Sequence, residues 1–160
     1  MKYVEIGAGA DRGGAEAAVF VDPGPYLARL PELADGLPPG ARAFATDPRH
    51  YELGGRRCVR DLRPLDMRRT APADMEIRFR HDRLGHDEDL IVRYLGVPRF
   101  QTDILGTCDI ASLGEVILDE ILPHPDGCTH ELACRPGTLV MACADLVAEW
   151  VPATADGDRP

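Results

Sequence analysis

The sequence predicts a mainly β protein: an antiparallel sandwich or barrel with one or two short helical turns near residues 25–35. Three observations carry this. Segments between Asp74 and Cys143 alternate apolar and polar side chains with a period of two, the pattern of half-buried strands. Fourteen Pro and sixteen Gly punctuate the chain, favouring turns over long helices. No long helical patterns intervene between the strands, so a parallel βαβ architecture is not indicated.

In chain order, Tyr3 to Ile6 reads as a short strand. The loop Gly7 to Gly14 that follows lacks both the dinucleotide-binding glycine spacing and the Lys and Ser/Thr of a P-loop. Ala17 to Val21 is a second strand, closed by Asp22-Pro-Gly-Pro. Leu27, Leu30 and Leu33 have helical spacing, but Pro31 among them limits the helix to loose turns. Ala41 to Thr46 is a strand candidate, and His50-Tyr51 falls in a Pro-flanked surface turn. Cys58 to Leu62 is a further strand candidate, ending at Arg63-Pro64.

The second half is more regular. Glu76 to Arg80 places Ile77 and Phe79 on one face. Asp89 to Leu95, Arg99 to Ile104 and Glu115 to Leu122 are β-prone runs bounded by turn residues. Pro136-Gly137 joins Cys128 to Arg135 with Thr138 to Cys143 as a tight hairpin. Beyond it, a strand through Cys143 that bends near Ala144 and runs on to Trp150 competes with a C-terminal helix over 141–150, which would make the fold α+β. One domain is expected over 1–151, with an irregular part at 1–73 and a regular β part at 74–151, followed by a frayed tail at 152–160.

The formal net charge is −9, unevenly spread. Residues 1–73 hold 11 basic and 10 acidic side chains; residues 74–160 hold 7 and 17. This balance disfavours nucleic acid, whose phosphates would be repelled. Of the basic residues only Lys2 is lysine, a bias that fits GC-rich bacterial coding. Arg56, Arg57, Arg60, Arg63, Arg68 and Arg69 form a basic stretch that either pairs with the acidic half or clamps an anion. Five Cys without a secretory leader, and no apolar window long enough to span a membrane, point to the reducing cytoplasm, with the thiols as small core residues.

Two polar clusters stand out. The first, residues 81–89, offers His81 and His86 among four carboxylates, a donor set for Zn, Fe or Mn but without the spacing of a calcium-binding loop. The second, Pro123 to Arg135, holds His124, Asp126, Cys128, His130, Glu131 and Cys134. As a strand it puts Cys128, His130, Leu132 and Cys134 on one buried face. His130 is then a core histidine or the mouth of a cavity. Counting strands as a meander puts the 81–88 loop at one end and the 123–127 turn at the other, about 20 Å away, so one ion cannot serve both unless a Greek-key crossover through 105–114 brings the two clusters to the same end.

Three functions fit. The leading one is a small acidic binding module, of immunity or regulatory type, that meets a basic protein partner. The second is a metal-dependent lyase, isomerase or oxygenase. In it His124 and His130, or His130 with His81 and His86, hold a divalent ion, and Glu131 or Glu88 serves as acid or base. Cys128 beside His130 has the ingredients of a thiol nucleophile. The third is a metal-free cyclase-type enzyme with a small-molecule ligand in an internal pocket lined by Cys128, His130, Tyr94 and Trp150.

Overall fold

The computed structural model describes residues 1–8, 19–82, 85, 87–103 and 109–153. His86 and Cys108 lie outside the described residues. The fold is mainly β, as predicted, with several antiparallel sheets and, among the described residues, no closed barrel.

A hairpin of β1 (Glu5–Ala8) and β2 (Val19–Asp22) opens the chain. Helices α1 (Gly24–Ala34) and α2 (Pro39–Ala45) follow. The first four-stranded sheet has the order β10-β5-β4-β3, from β3 (Arg63–Ala71), β4 (Asp74–Arg80), β5 (Glu88–Leu95) and β10 (Asp145–Pro152). The second has the order β6-β9-β8-β7, from β6 (Arg99–Asp103), β7 (Gly114–His124), β8 (Gly127–Pro136) and β9 (Thr138–Cys143).

One apolar core serves both sheets. Ile77, Phe79, Leu90, Val92, Tyr94 and Leu146 come from the first; Cys128, Leu132, Leu139, Met141 and Cys143 come from the second. The period of two holds along β8, where Cys128, His130, Leu132 and Cys134 are buried and the residues between them are not. In β7 the register shifts between Val116 and Leu118. That bulge inserts Ile117 and lets Val116, Asp119 and Ile121 all face the core. Leu118 and Glu120 turn to the other side and are buried there too.

The chain passes between the sheets twice at one end. The link from β5 to β6 runs through Gly96, and β9 continues into β10 through Ala144, whose N–H donates to Leu95 O at 2.8 Å. The bend expected at Ala144 is therefore present, and the alternative helix over 141–150 is not: those residues are strand on both sides of the bend. The β7–β8 turn lies against this bend, because Gly127 approaches the carbonyls of Cys143 and Ala144.

The first half is more ordered than its composition predicted. Helix α1 runs eleven residues with Pro31 inside it, longer than loose turns. Pro23 and Pro25 set its entry, and buried Tyr26 and Leu30 anchor it. Ala41 to Thr46, read as a strand, is mostly helix α2. Its buried Ala41, Phe44 and Ala45 supply the tertiary contacts that a seven-residue helix needs. The Asp145 carboxylate on β10 accepts from the N–H groups of Gly40 (3.0 Å) and Ala41 (2.9 Å), meeting two of the helix's orphan donors. Cys58 to Leu62 is not a strand; β3 starts at Arg63.

Gly127 has φ +127°, and a Cβ there would sit 2.3 Å from Ala144 O and 2.5 Å from Cys143 O. Both obstacles are backbone. Gly127→Ala is expected to cost about 2–4 kcal/mol in urea unfolding; a loss below about 0.5 kcal/mol would show that the turn does not seat against the bend as described.

Candidate functional site

The polar centre of the molecule is a chain of four side chains between the sheets. Asp119, on β7, is fully buried, and His130 from β8 and His50 from the turn after α2 are each 1 % exposed. His50 Nε2 lies 2.7 Å from Asp119 Oδ1 and 2.9 Å from Oδ2. His130 Nε2 lies 2.8 Å from Asp119 Oδ2. On the far side of His130, Nδ1 lies 2.9 Å from the hydroxyl of Tyr94, on β5 of the other sheet. His50 Nδ1 lies 3.0 Å from Phe44 O.

Donor counting fixes the hydrogens. A carbonyl only accepts, so His50 Nδ1–H donates to Phe44 O. An ionised Asp119 also only accepts, so His50 Nε2 carries a hydrogen as well and the ring is a cation. His130 needs one hydrogen, on Nε2, and its Nδ1 accepts from the Tyr94 hydroxyl. Burial, with the nearby Cys143 and Asp119, pushes the Tyr94 phenol well above its ordinary range and keeps that donor protonated. Burial works to raise the Asp119 pKa, but the His50 charge and the hydrogen bonds from both imidazoles outweigh it and hold the carboxyl well below the usual range. The chain thus buries one cation against one anion. The His50 ring packs against Phe44 and Tyr51, at centroid distances of 4.1 and 4.2 Å, a setting that favours a cation.

The predicted site residues are distributed as follows. His130 is in this chain, and its partners are side chains. Cys128 shares its face, fully buried, with Sγ 3.5 Å from the Sγ of Cys143 opposite. The hydrogen bond with Cys128, together with burial, pushes the Cys143 thiol far up, and burial raises Cys134 to about 12, the opposite of what an attacking thiolate requires. Glu131 faces out and meets the amino group of Met1. His124 is at the β7–β8 turn, where its Nδ1 accepts from Asp126 N–H at 3.2 Å. His81 is at the opposite end of the first sheet, with Nδ1 2.7 Å from Asp89 Oδ1. Strand pairing of Glu88 with Pro152 and of Leu95 with Asp145 separates that end from the one holding His124. Among the described residues, no three His, Cys, Asp or Glu side chains are grouped to hold a metal ion. Tyr94, His130 and Cys128 do meet, but each is at most 1 % exposed; Trp150 lines a separate surface hollow with Phe44 and Arg57.

His50 and Asp119 were missed as site residues. His50-Tyr51, expected as a surface turn, is buried at 1 % and 7 % exposure. A signal existed for Asp119: two adjacent acids interrupt the apolar run Val116 to Leu122, and a charge in a buried strand needs a partner.

The arginine-rich stretch pairs with acidic side chains, chiefly from the second half. Arg57 grips Glu88 with two bonds, at 2.8 and 3.0 Å, and Arg56 meets Asp87. Arg63 meets Glu115, and Arg60 faces its neighbour Asp61. Arg68 and Arg93 hold Glu76. Burial there opposes ionisation, but the two guanidiniums outweigh it and lower the Glu76 pKa.

Asp119→Asn removes the anion and leaves the His50 cation buried, so about 3–5 kcal/mol of stability should be lost in urea unfolding. The sign of the pH dependence follows. A carboxyl held below its unfolded value stabilises the fold above pH about 4 and loses that contribution as pH falls towards its folded value. Wild-type melting temperature should drop from pH about 5 downward, and Asp119→Asn should flatten that drop. An Asp119→Asn protein as stable as wild type, with the same acid profile, would show that the chain is not ionised as assigned.

No helix among the described residues is long and apolar enough to cross a membrane. Compared with protein-family models, curated proteins and solved structures, the chain matches none of them.

Proposed function

We propose that the protein is a non-catalytic binding module, of immunity or regulatory type, that meets a basic protein partner through its acidic surface. The observation that carries this is the uneven pairing of surface charge. Among the described residues, Arg99 and Arg135 are the only arginines without a hydrogen bond or ion pair. By contrast, the exposed carboxylates of Glu5, Asp35, Glu52, Asp66 and Asp103 have no counter-ion among the described residues. These unneutralised surface acids are part of the net charge of −9, and they attract a cationic surface and steer its approach. The sealed imidazoles of His50 and His130 and the buried Cys128 thiol also support a binding role, since a reacting group needs access to its substrate.

Calorimetric titration against a panel of small basic proteins tests the reading. One saturable 1:1 complex is expected, weakening at least about tenfold between about 50 and about 300 mM salt. Glu52→Lys with Asp66→Lys should weaken it further without lowering the melting temperature. No saturable complex with any basic protein, or one indifferent to salt and to both substitutions, would overturn the proposal.

A further inference from the structure

The outer face of the second sheet is half covered. Strand register sets its side chains in rows. One row is Arg99, Ala142, Thr129 and Leu122; the next is Gln101, Val140, Glu131 and Glu120. The first residues of the chain cover the β7 side, where Glu120 accepts from the N–H groups of Lys2 and Tyr3 (both 2.6 Å) and Val4 (2.9 Å). Over β6, β9 and the near side of β8 no described residue covers the face. There it forms a hollow of about 210 Å³ lined by Pro98, Arg99, Gln101, His124, Asp126, Thr129, Val140 and Ala142.

The hollow has a floor and a wall of different chemistry. Val140 and Ala142 are short and apolar, so the floor is low and flat. Arg99 and Gln101 stand above it on β6. The β7–β8 turn closes one end with His124 and Asp126. The side chains of Arg99, Gln101 and Thr129 form no hydrogen bond or ion pair among the described residues, although nearly every other described arginine side chain has a partner. Each of the unspent groups can donate: a guanidinium, which only donates, and an amide and a hydroxyl, which also accept. The His124 Nδ1 accepts from Asp126 N–H, which leaves hydrogen on Nε2 as a further donor in the neutral ring.

From this arrangement we infer a binding site for a small organic monocarboxylate. Arg99 takes the carboxylate through two parallel N–H bonds. An apolar body lies on Val140, Ala142 and Pro98. Arg99 and Thr129 stand two strands apart, about 10 Å, room for a carboxylate and one ring or short chain. Asp126 on the rim and the net charge of −9 oppose a second negative charge on the ligand, so phosphate is disfavoured. This site uses cationic and neutral donors and is independent of the acidic surface invoked for the protein partner.

Nitrogen–proton correlation spectra recorded while titrating butyrate, benzoate and phenylacetate test the site. At least one should give saturable shifts confined to residues 98–101, 124–129 and 140–142. The matching amide, and inorganic phosphate, should bind at least about tenfold more weakly. Arg99→Ala should reduce affinity at least about tenfold with an unchanged melting temperature, because the Arg99 side chain has no hydrogen bond or ion pair among the described residues. Ala142→Leu, which fills the floor, should abolish binding. The inference is overturned if no carboxylate gives saturable shifts there, if amide or phosphate matches the carboxylate, or if Arg99→Ala binds as wild type does.

Discussion

A carboxylate with no access to water governs this fold. Burying Asp119 alone would be prohibitive, and its cost is offset only by charged and hydrogen-bonded partners in good geometry. Those partners come from distant parts of the chain. His50 arrives from the turn after α2, His130 from β8, and Tyr94 through His130 from the other sheet. One side chain therefore fixes the relative placement of the helical segment and both sheets. Apolar packing alone would tolerate small shifts between them; a chain of directed bonds under 3 Å long does not.

The same device recurs at the periphery. Glu120 takes three consecutive N–H groups of the opening segment, and Asp145 takes two at the start of α2. Asp87, Glu88 and Glu115 take Arg56, Arg57 and Arg63. In each case a carboxylate of the second half holds a donor of the first. This accounts for part of the charge asymmetry between residues 1–73 and 74–160: the acidic half is the frame, and some of its carboxylates tie the less regular half to it. The acids left over are on the surface, and they support the proposed charge-driven association.

The β elements were legible because burial on one face imposes a period of two. That is why β4, β5, β8 and β9 lie where alternation put them, and why the bend at Ala144 was visible. The separation of His81 from His124 followed from counting those strands, although the sheets exchange strands at Gly96 and Ala144 where a simple meander does not. Helix α2 was not legible. Its seven residues begin with Pro39 and include Gly40, and their helical state depends on Asp145, more than a hundred residues away. The role of His50 was hidden for the same reason: nothing near it in sequence indicates Asp119. The bulge at Ile117, which turns Asp119 inward, breaks the alternation that would otherwise have exposed the pattern.

The most direct check on this account is a double-mutant cycle between His50→Gln and Asp119→Asn, read by urea unfolding at neutral pH. If the buried ion pair organises the fold, the two losses are strongly non-additive, with a coupling of about 2 kcal/mol or more. Additivity within about 0.5 kcal/mol would contradict it, because two side chains that share a buried charge cannot be removed independently.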